Sequence, residues 1–220
     1  LCLQPCFPAY AASYGSAKPV ILAPFALNEY AEVSTGSSPD NSHNQFIELI
    51  GSGRRNIRLA AYLLRSPGIG GALEAAAKRG VKVTLLLDGW TVGKPKAEKI
   101  EPLELYLAKK IVEAGGRVFY LRSDTGPRTD RRFRYLHAKY AVVDDTLFLS
   151  SENFANSGFS PTQTLGSRGW IIGIKNARFA AHYEKMFDED LAPMQGYNDI
   201  VAYGSHPDYT LQDPGFVPDH

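Results

Sequence analysis

The 220-residue sequence has only two cysteines, no long hydrophobic run and almost no net charge. Its cysteines, Cys2 and Cys6, have no histidine near them in the sequence, so they are too few to form a zinc site. A disulfide between them, a disulfide to another chain and two unpaired thiols all stay open as interpretations. The cysteine content therefore does not fix the redox compartment.

The charge balance excludes strong global attraction to nucleic acid or to an anionic membrane. Lys and Arg number 24 against 23 Asp and Glu, which gives a formal net charge of +1. Any anion binding must therefore come from a local cluster. No segment approaches the ~18 consecutive apolar residues of a membrane span, and none has the basic and then apolar form of an intact secretory signal. We expect a soluble protein, with its compartment undetermined and secretion left open.

Hydrophobic residues make up 44% of the chain, enough to bury a core, and their spacing alternates between two periods. Helical spacing predicts helices over 38–53, 70–80, 94–115 and 176–190. Asp40 or Ser42 is the predicted N-cap of the first helix, and a break at Pro102 in the third is left open. Apolar runs of strand length predict strands over 56–64, 81–89, 117–121, 136–144, 146–150 and 170–174. This interleaving predicts a layered α/β domain. We place it at residues 19–190, with irregular arms rich in Pro, Gly, Tyr and Asp at 1–18 and 191–220.

An unusual set of polar residues interrupts two of the predicted strands, in the segment HAKYAVVDDTLFLSSEN at 137–153. Because side chains alternate along a strand, His137 and Lys139 share one face while Asp144 points to the other. A hairpin that turns at 144–146 would bring Ser151 and Asn153 beside the first two. The pattern thus predicts a cluster of four polar side chains.

This cluster combines chemical groups that suit a phosphoryl group. Lys139 supplies positive charge, while Ser151 and Asn153 supply neutral hydrogen-bond donors. His137 titrates near neutral pH, so it can attack phosphorus or donate a proton. Tyr135 and Trp170 flank these segments, and we interpret both as packing residues rather than stacking surfaces.

The segment fits the pattern H-x-K-x(4)-D followed by Ser-Ser-Glu-Asn, which resembles the signature of the phospholipase D superfamily. The resemblance extends over roughly residues 20–190. It implies an α-β-α sandwich with a mixed central sheet flanked by helices, a phosphohistidine intermediate, no metal or other cofactor, and hydrolysis or transfer at a phosphodiester. By position, it implies that His137 is nucleophile or general acid, that Lys139, Ser151 and Asn153 hold phosphate oxygens, and that Asp144 orders the surrounding loop.

The chain departs from the family pattern in two places. Members often carry an acidic residue about a dozen positions past the serine, and Gly169 stands where it is expected. Gln163, Ser167 and Glu152 are the candidates to replace it, and each is also open to interpretation as an ordinary loop residue.

The second departure is that the family pattern needs two motifs and this chain has one. The remaining histidines lack a lysine two positions later; they are His43, His182, His206 and His220. We therefore expect a second motif-bearing lobe, supplied either by a homodimer or by the rest of a two-lobe protein. The start at Leu1 and the linker-like tail at 191–220 make the two-lobe protein as well supported as the homodimer.

An arginine cluster, RTDRRFR at 128–134, precedes the motif. Within it, Arg131 and Arg132 are candidates to hold a phosphorylated substrate, with a solvated loop as the alternative. Three functions remain: a phosphodiesterase acting on a phospholipid or small diester, a metal-independent nuclease of the same chemistry, and a non-catalytic lobe for binding or assembly. The charge balance outside 128–134 favours the first over the second, because phosphate neutralisation dominates nucleic-acid affinity.

Overall fold

The computed structural model describes residues 22–91, 100–122, 135–192, 200–213 and 215–218. The arm at 1–18 with Cys2 and Cys6, and the arginine cluster with Arg131 and Arg132, lie outside these ranges. Within the described ranges, no helix combines the length and the apolar character needed to cross a bilayer.

The described residues form a mixed sheet of eight strands in the order β1-β9-β7-β6-β2-β4-β5-β10. These strands are β1 Glu32–Ser38, β2 Asn56–Ala61, β4 Lys82–Asp88, β5 Arg117–Leu121, β6 Lys139–Val143, β7 Thr146–Ser150, β9 Gly169–Lys175 and β10 Ile200–Ala202. Two short strands, β3 Leu64–Arg65 and β8 Phe154–Ala155, pair separately. Strands β2, β4 and β5 run parallel, and the other pairs of the large sheet are antiparallel.

In the described part of the chain, four helices cover the two faces of this sheet: α1 Ser42–Ser52, α2 Pro67–Lys78, α3 Pro102–Glu113 and α4 Ala177–Leu191. One core contains buried residues of α1, α2 and α3, such as Phe46, Leu73 and Ile111. The other contains Ala180 and Phe187 of α4. Helices on both faces of a mixed sheet are the predicted α-β-α sandwich, so the fold class is confirmed.

The first helix begins differently from the prediction. Its N-cap is Asn41, rather than Asp40 or Ser42, and no side chain caps it. The predicted caps have other partners, because Asp40 accepts hydrogen bonds from Ser37 and Arg168 while the buried Ser42 hydroxyl donates to the carbonyl oxygen of Gly158. The α1 N-terminus is thus fixed by tertiary contacts rather than by a local cap.

The C-terminal segment is more ordered than the sequence prediction. Strand β10 pairs with β5 at the edge of the large sheet, and Pro207–Tyr209 form a turn of 3-10 helix. Tyr209 is fully buried, with its ring 5.2 Å from that of Tyr120. The prediction of an irregular arm is therefore wrong for these residues, because three apolar residues at a sheet edge are too few to produce a strand pattern.

Candidate active site

The β6–β7 hairpin brings the two halves of the motif together. Asp144 and Asp145 form its turn, since Val143 pairs with Thr146. Tyr140 pairs with Leu149 near the other end, so the chain leaving β7 runs alongside Lys139. This is the hairpin that the sequence predicts.

His137 and Lys139 are in direct contact. The Lys139 Nζ lies 3.3 Å from each ring nitrogen of His137 and donates a hydrogen bond to the His137 carbonyl oxygen at 3.1 Å. The His137 side chain is exposed to solvent, whereas Lys139 is half-buried. An imidazole that solvent can reach is thus held beside an ammonium group, as the motif predicts.

The electrostatics of this pair favour a neutral imidazole. Partial burial, followed by the charge of Lys139, lowers the pKa of His137 below its ordinary value. Partial burial also lowers the pKa of Lys139, and the negative charge of Glu152 acts in the opposite direction. His137 therefore keeps a free nitrogen lone pair at neutral pH, which a nucleophile requires.

Ser151 is bound mainly to the neighbouring strand β9. Its backbone N–H donates to the Trp170 carbonyl oxygen at 3.1 Å, and its Oγ accepts the Trp170 N–H at 3.0 Å. The hydroxyl also donates towards the Glu152 Oε1 at 3.3 Å. Binding a phosphate oxygen through this hydroxyl would require it to leave Glu152.

Asn153 has a side-chain atom with no partner among the described residues. Its Oδ1 is buried and accepts no hydrogen bond from the part of the chain that the structure describes. A buried polar atom without a partner costs about 1–3 kcal/mol. Rotating the amide by 180° places its two N–H donors at the same position. A bound phosphate oxygen would satisfy those donors, so this geometry is compatible with the predicted role of Asn153.

Asp144 is not brought to His137. It lies in the hairpin turn at the other end of β6, with φ of 51°. Its carboxylate accepts the backbone N–H groups of Arg54, Arg55 and Asn56 at 2.8, 2.9 and 3.0 Å. Partial burial alone would raise the pKa of Asp144, but these hydrogen bonds and the Arg55 guanidinium lower it overall. Asp144 thus orders the turn between α1 and β2, which agrees with the loop-ordering role predicted for it and places its carboxylate away from His137.

Two tyrosine rings border His137, and the sequence interpretation did not assign them to the site. Tyr62 follows β2, and its ring centroid lies 5.1 Å from that of His137. The Tyr135 centroid lies 6.0 Å from His137, and 41% of Tyr135 is exposed. Trp170 is also 52% exposed, so both side chains are partly open to solvent, and their interpretation as packing residues stays a prediction. The sequence feature that could have indicated a role for Tyr62 is its phenolic side chain within the apolar run 56–64.

The three candidates for the missing acid lie in different places. Gln163 and Ser167 are exposed, in the loop between β8 and β9. Glu152 lies next to Ser151 and acts electrostatically on Lys139. Among the described residues, no three histidine, cysteine, aspartate or glutamate side chains come together as metal ligands.

Residues 46–191 match a family model described as cardiolipin synthase, PLD-like domain. No curated protein matches the chain significantly in sequence. Among solved structures, the chain is similar to Nuc from Salmonella typhimurium, a phospholipase D family member, with a TM-score of 0.57 and 22% identity over 78% of this chain and 99% of that one. NucT from Helicobacter pylori gives a TM-score of 0.56 and 19% identity over 77% and 98%.

A third similar structure is the polyphosphate kinase from Porphyromonas gingivalis, with a TM-score of 0.52 and 20% identity. The match covers 71% of this chain but only 25% of the kinase. The region similar to this chain thus makes up nearly all of Nuc and NucT but only a small part of the polyphosphate kinase. At these identities the likeness shows the fold alone.

Proposed function

The chain belongs to the phospholipase D-like family, and from this premise we propose that it is the catalytic lobe of a phosphodiesterase with His137 as nucleophile. One observation carries the proposal: a solvent-exposed imidazole, with its pKa lowered towards the neutral form, lies 3.3 Å from a lysine ammonium. The proposed nucleophile, His137, would thereby lie beside the positive charge of Lys139 that binds the phosphate.

The proposed reaction has two displacements. A lone pair on a ring nitrogen of His137 attacks phosphorus, and the bond from phosphorus to the leaving oxygen breaks as that oxygen takes up a proton. The product is a phosphohistidine. Water or an alcohol then gives up a proton and attacks the same phosphorus. The bond from phosphorus to the His137 nitrogen breaks, which releases the imidazole and completes hydrolysis or transfer.

The other site residues would stabilise the charge of the phosphoryl group. Lys139 neutralises its oxygens, and Asn153 donates from the buried position that has no partner among the described residues. Ser151 holds the loop after β7 against β9 through its contacts with Trp170. Arg131 and Arg132, outside the described ranges, are proposed to bind the remainder of the substrate.

The decisive experiment is to trap the intermediate. The full chain is mixed with a phosphodiester substrate, quenched within a turnover and digested for peptide mass spectrometry under conditions that preserve phosphohistidine. We expect a phosphoryl-containing adduct on His137. An active enzyme with no adduct there would contradict the mechanism, and a chain inactive on every diester tested would leave the alternative of a non-catalytic lobe.

We propose a phospholipid or other small diester as the substrate. Five of the described arginines already pair with a carboxylate, so their charge is not available to bind a polynucleotide backbone. These arginines are Arg55, Arg58, Arg65, Arg168 and Arg178. A nucleic acid is the second candidate, favoured by Tyr62 and Tyr135 beside His137, since aromatic rings stack on bases. Rates on phosphatidylcholine vesicles, single-stranded DNA and double-stranded DNA separate the two.

We also propose that the reaction needs a second lobe and no divalent ion. While His137 attacks phosphorus, it cannot protonate the leaving oxygen, so a second acid is required. A second His-Lys pair, from another copy or another lobe, would supply it. A fully active monomer in light scattering would contradict the shared site. Activity lost in EDTA and restored by Mg²⁺ or Zn²⁺ would contradict metal independence.

A further inference from the structure

The side chain of Glu152 fills the space beside Gly169, where strand β9 begins. A Cβ added at Gly169 would lie 2.7 Å from the Glu152 Cδ and closer still to its Cγ and Oε1. A Cβ at Gly158 would lie 2.6 Å from the Glu152 Cβ. Two glycines thus make room for this one glutamate.

The backbone of Glu152 is held in place by Ser150. The Ser150 Oγ accepts the Glu152 N–H at 2.9 Å and donates to the Glu152 carbonyl oxygen at 3.1 Å. The carboxylate itself accepts from the Ser151 hydroxyl, whose oxygen is held by the Trp170 N–H. The position of the carboxylate is therefore determined by β9 and by the loop after β7.

This position lies next to the open end of β6. The pairing of Tyr140 with Leu149 places the chain after β7 alongside Lys139, and Glu152 acts on the Lys139 ammonium electrostatically. Among the residues that the structure describes, the other groups that face this ammonium are the imidazole of His137 and the ring of Tyr62, 5.9 Å from the Lys139 Nζ. Of these three neighbours, Glu152 is the one that carries negative charge.

We propose that Glu152, held against Gly169 and beside the open end of β6, is a positioning residue of the site that acts on Lys139 across the pairing of β6 with β7. This inference rests on the proposed function. Without the carboxylate, a half-buried ammonium beside an imidazole would lose its proton at lower pH. Gln163 and Ser167 lie in the exposed loop before β9, so the structure separates Glu152 from the other candidates.

The first test is the substitution Glu152→Gln, which keeps the shape of the side chain and removes its charge. We expect kcat/KM to fall about 10-fold, the size of a lost charge-assisted interaction. The basic limb of the pH–rate profile should move to lower pH, because Lys139 deprotonates earlier. Glu48→Gln, the same change at an exposed position on α1, is the matched control and should leave both unchanged.

The second test moves the carboxylate. Gly169→Glu alone should impair the protein, because its side chain overlaps that of Glu152. In the double variant Glu152→Ala, Gly169→Glu the new carboxylate enters the vacated space, and we expect it to recover activity and the basic limb relative to Glu152→Ala. This comparison remains informative even if Glu152→Gln fails to fold.

A third measurement does not depend on turnover. The pH dependence of Lys139 labelling by an amine reagent, read by peptide mass spectrometry, should shift to lower pH in Glu152→Gln. An unchanged labelling curve together with an unchanged basic limb would overturn the proposal. Failure of the proposed function would look different, since the wild-type chain would then form no adduct on His137.

Discussion

The two ends of the β6–β7 hairpin carry residues of one sequence motif but use their polar atoms differently. At the turn, the carboxylate of Asp144 accepts three backbone N–H groups. At the open end, the His137 ring is exposed, and the buried Asn153 Oδ1 has no partner in the described ranges. Atoms already bonded to the protein support the fold, whereas atoms without such bonds are available to a ligand.

The charge states at the two ends differ in the same way. The pKa of Asp144 is lowered by the backbone N–H groups and by Arg55, which outweigh the opposing effect of burial and favour its ionised form. The pKa of His137 is lowered by burial and by Lys139, which favours its neutral form. One end is therefore arranged for a permanent charge and the other for a free lone pair.

The largest expected effect is that of His137→Ala. Removing the nucleophile should reduce turnover by about 10⁴-fold or more, as when a catalytic nucleophile is deleted from other enzymes. The exposed ring contributes little to the core, so the melting temperature should hardly change. His182→Ala is the control, because His182 lies on α4 with its ring stacked 4.9 Å from Phe25. Equal activity of the two variants would contradict the assignment of His137.

Lys139→Ala should have the next largest effect. Loss of one group that stabilises transition-state charge reduces kcat by about 10²–10³-fold. Lys78→Ala is the matched control, since the Lys78 ammonium pairs with Glu74 on the surface of α2. Initial rates at saturating and limiting substrate measure both variants. A change in KM alone, with kcat intact, would indicate that Lys139 binds substrate and transition state equally.

The sequence predicts the four described helices and six of the strands, because each has enough apolar residues to display its period. It does not predict β1, whose seven residues include one apolar side chain, Val33. It also predicts the hairpin, since Asp144 and Asp145 separate two strand-length runs. Short elements such as β10 have too few residues for a period, and they form because a strand edge is available for pairing.

The composition of the site was harder to predict than its location. Local spacing identifies His137 and Lys139 as neighbours. In contrast, the position of Tyr62 depends on the pairing of β2 with β6, and that of Glu152 on the approach of Gly169. Contacts between segments distant in sequence depend on which strands are neighbours in the sheet, and local spacing does not specify that order.

A buried carboxylate near the open end allows the comparison to be extended. Glu104 of α3 accepts the Leu64 N–H at 3.0 Å and so anchors β3, whose partner β8 directly follows Asn153. Burial raises the pKa of Glu104 to about 8, against the opposing effects of this hydrogen bond and of Arg65. Unlike Asp144, it is therefore protonated at neutral pH.

Glu104→Gln should change how stability depends on pH. Because the folded pKa is raised, the stabilisation from protonated Glu104 is complete below the ordinary value of 4.5 and is lost as pH rises towards about 8. Within that window, the wild type should lose about 1.4 kcal/mol per pH unit relative to the variant. Urea unfolding at several pH values measures this, and parallel curves would show that Glu104 is ionised in the folded protein.

The smallest expected effect, and the most direct test of the comparison, is that of Asp144→Asn. Asparagine tolerates the positive φ of 51°, so the substitution removes charge without straining the backbone. Loss of charge-assisted hydrogen bonds should cost about 1–2 kcal/mol at pH 7. Asp145→Asn is the control in the same turn, since its ion pair with Arg55 is exposed to solvent and contributes little to stability.

The pH dependence distinguishes this effect from a general loss of packing. Since the pKa of Asp144 is lowered on folding, its stabilisation is complete above the ordinary value of 3.8 and disappears as pH falls through the folded pKa. The wild type and Asp144→Asn should therefore differ in urea unfolding at pH 7 and converge in acid. Activity per folded molecule should match the wild type, because Asp144 lies at the far end of β6 from His137. A loss of activity with unchanged stability would place Asp144 in the reaction.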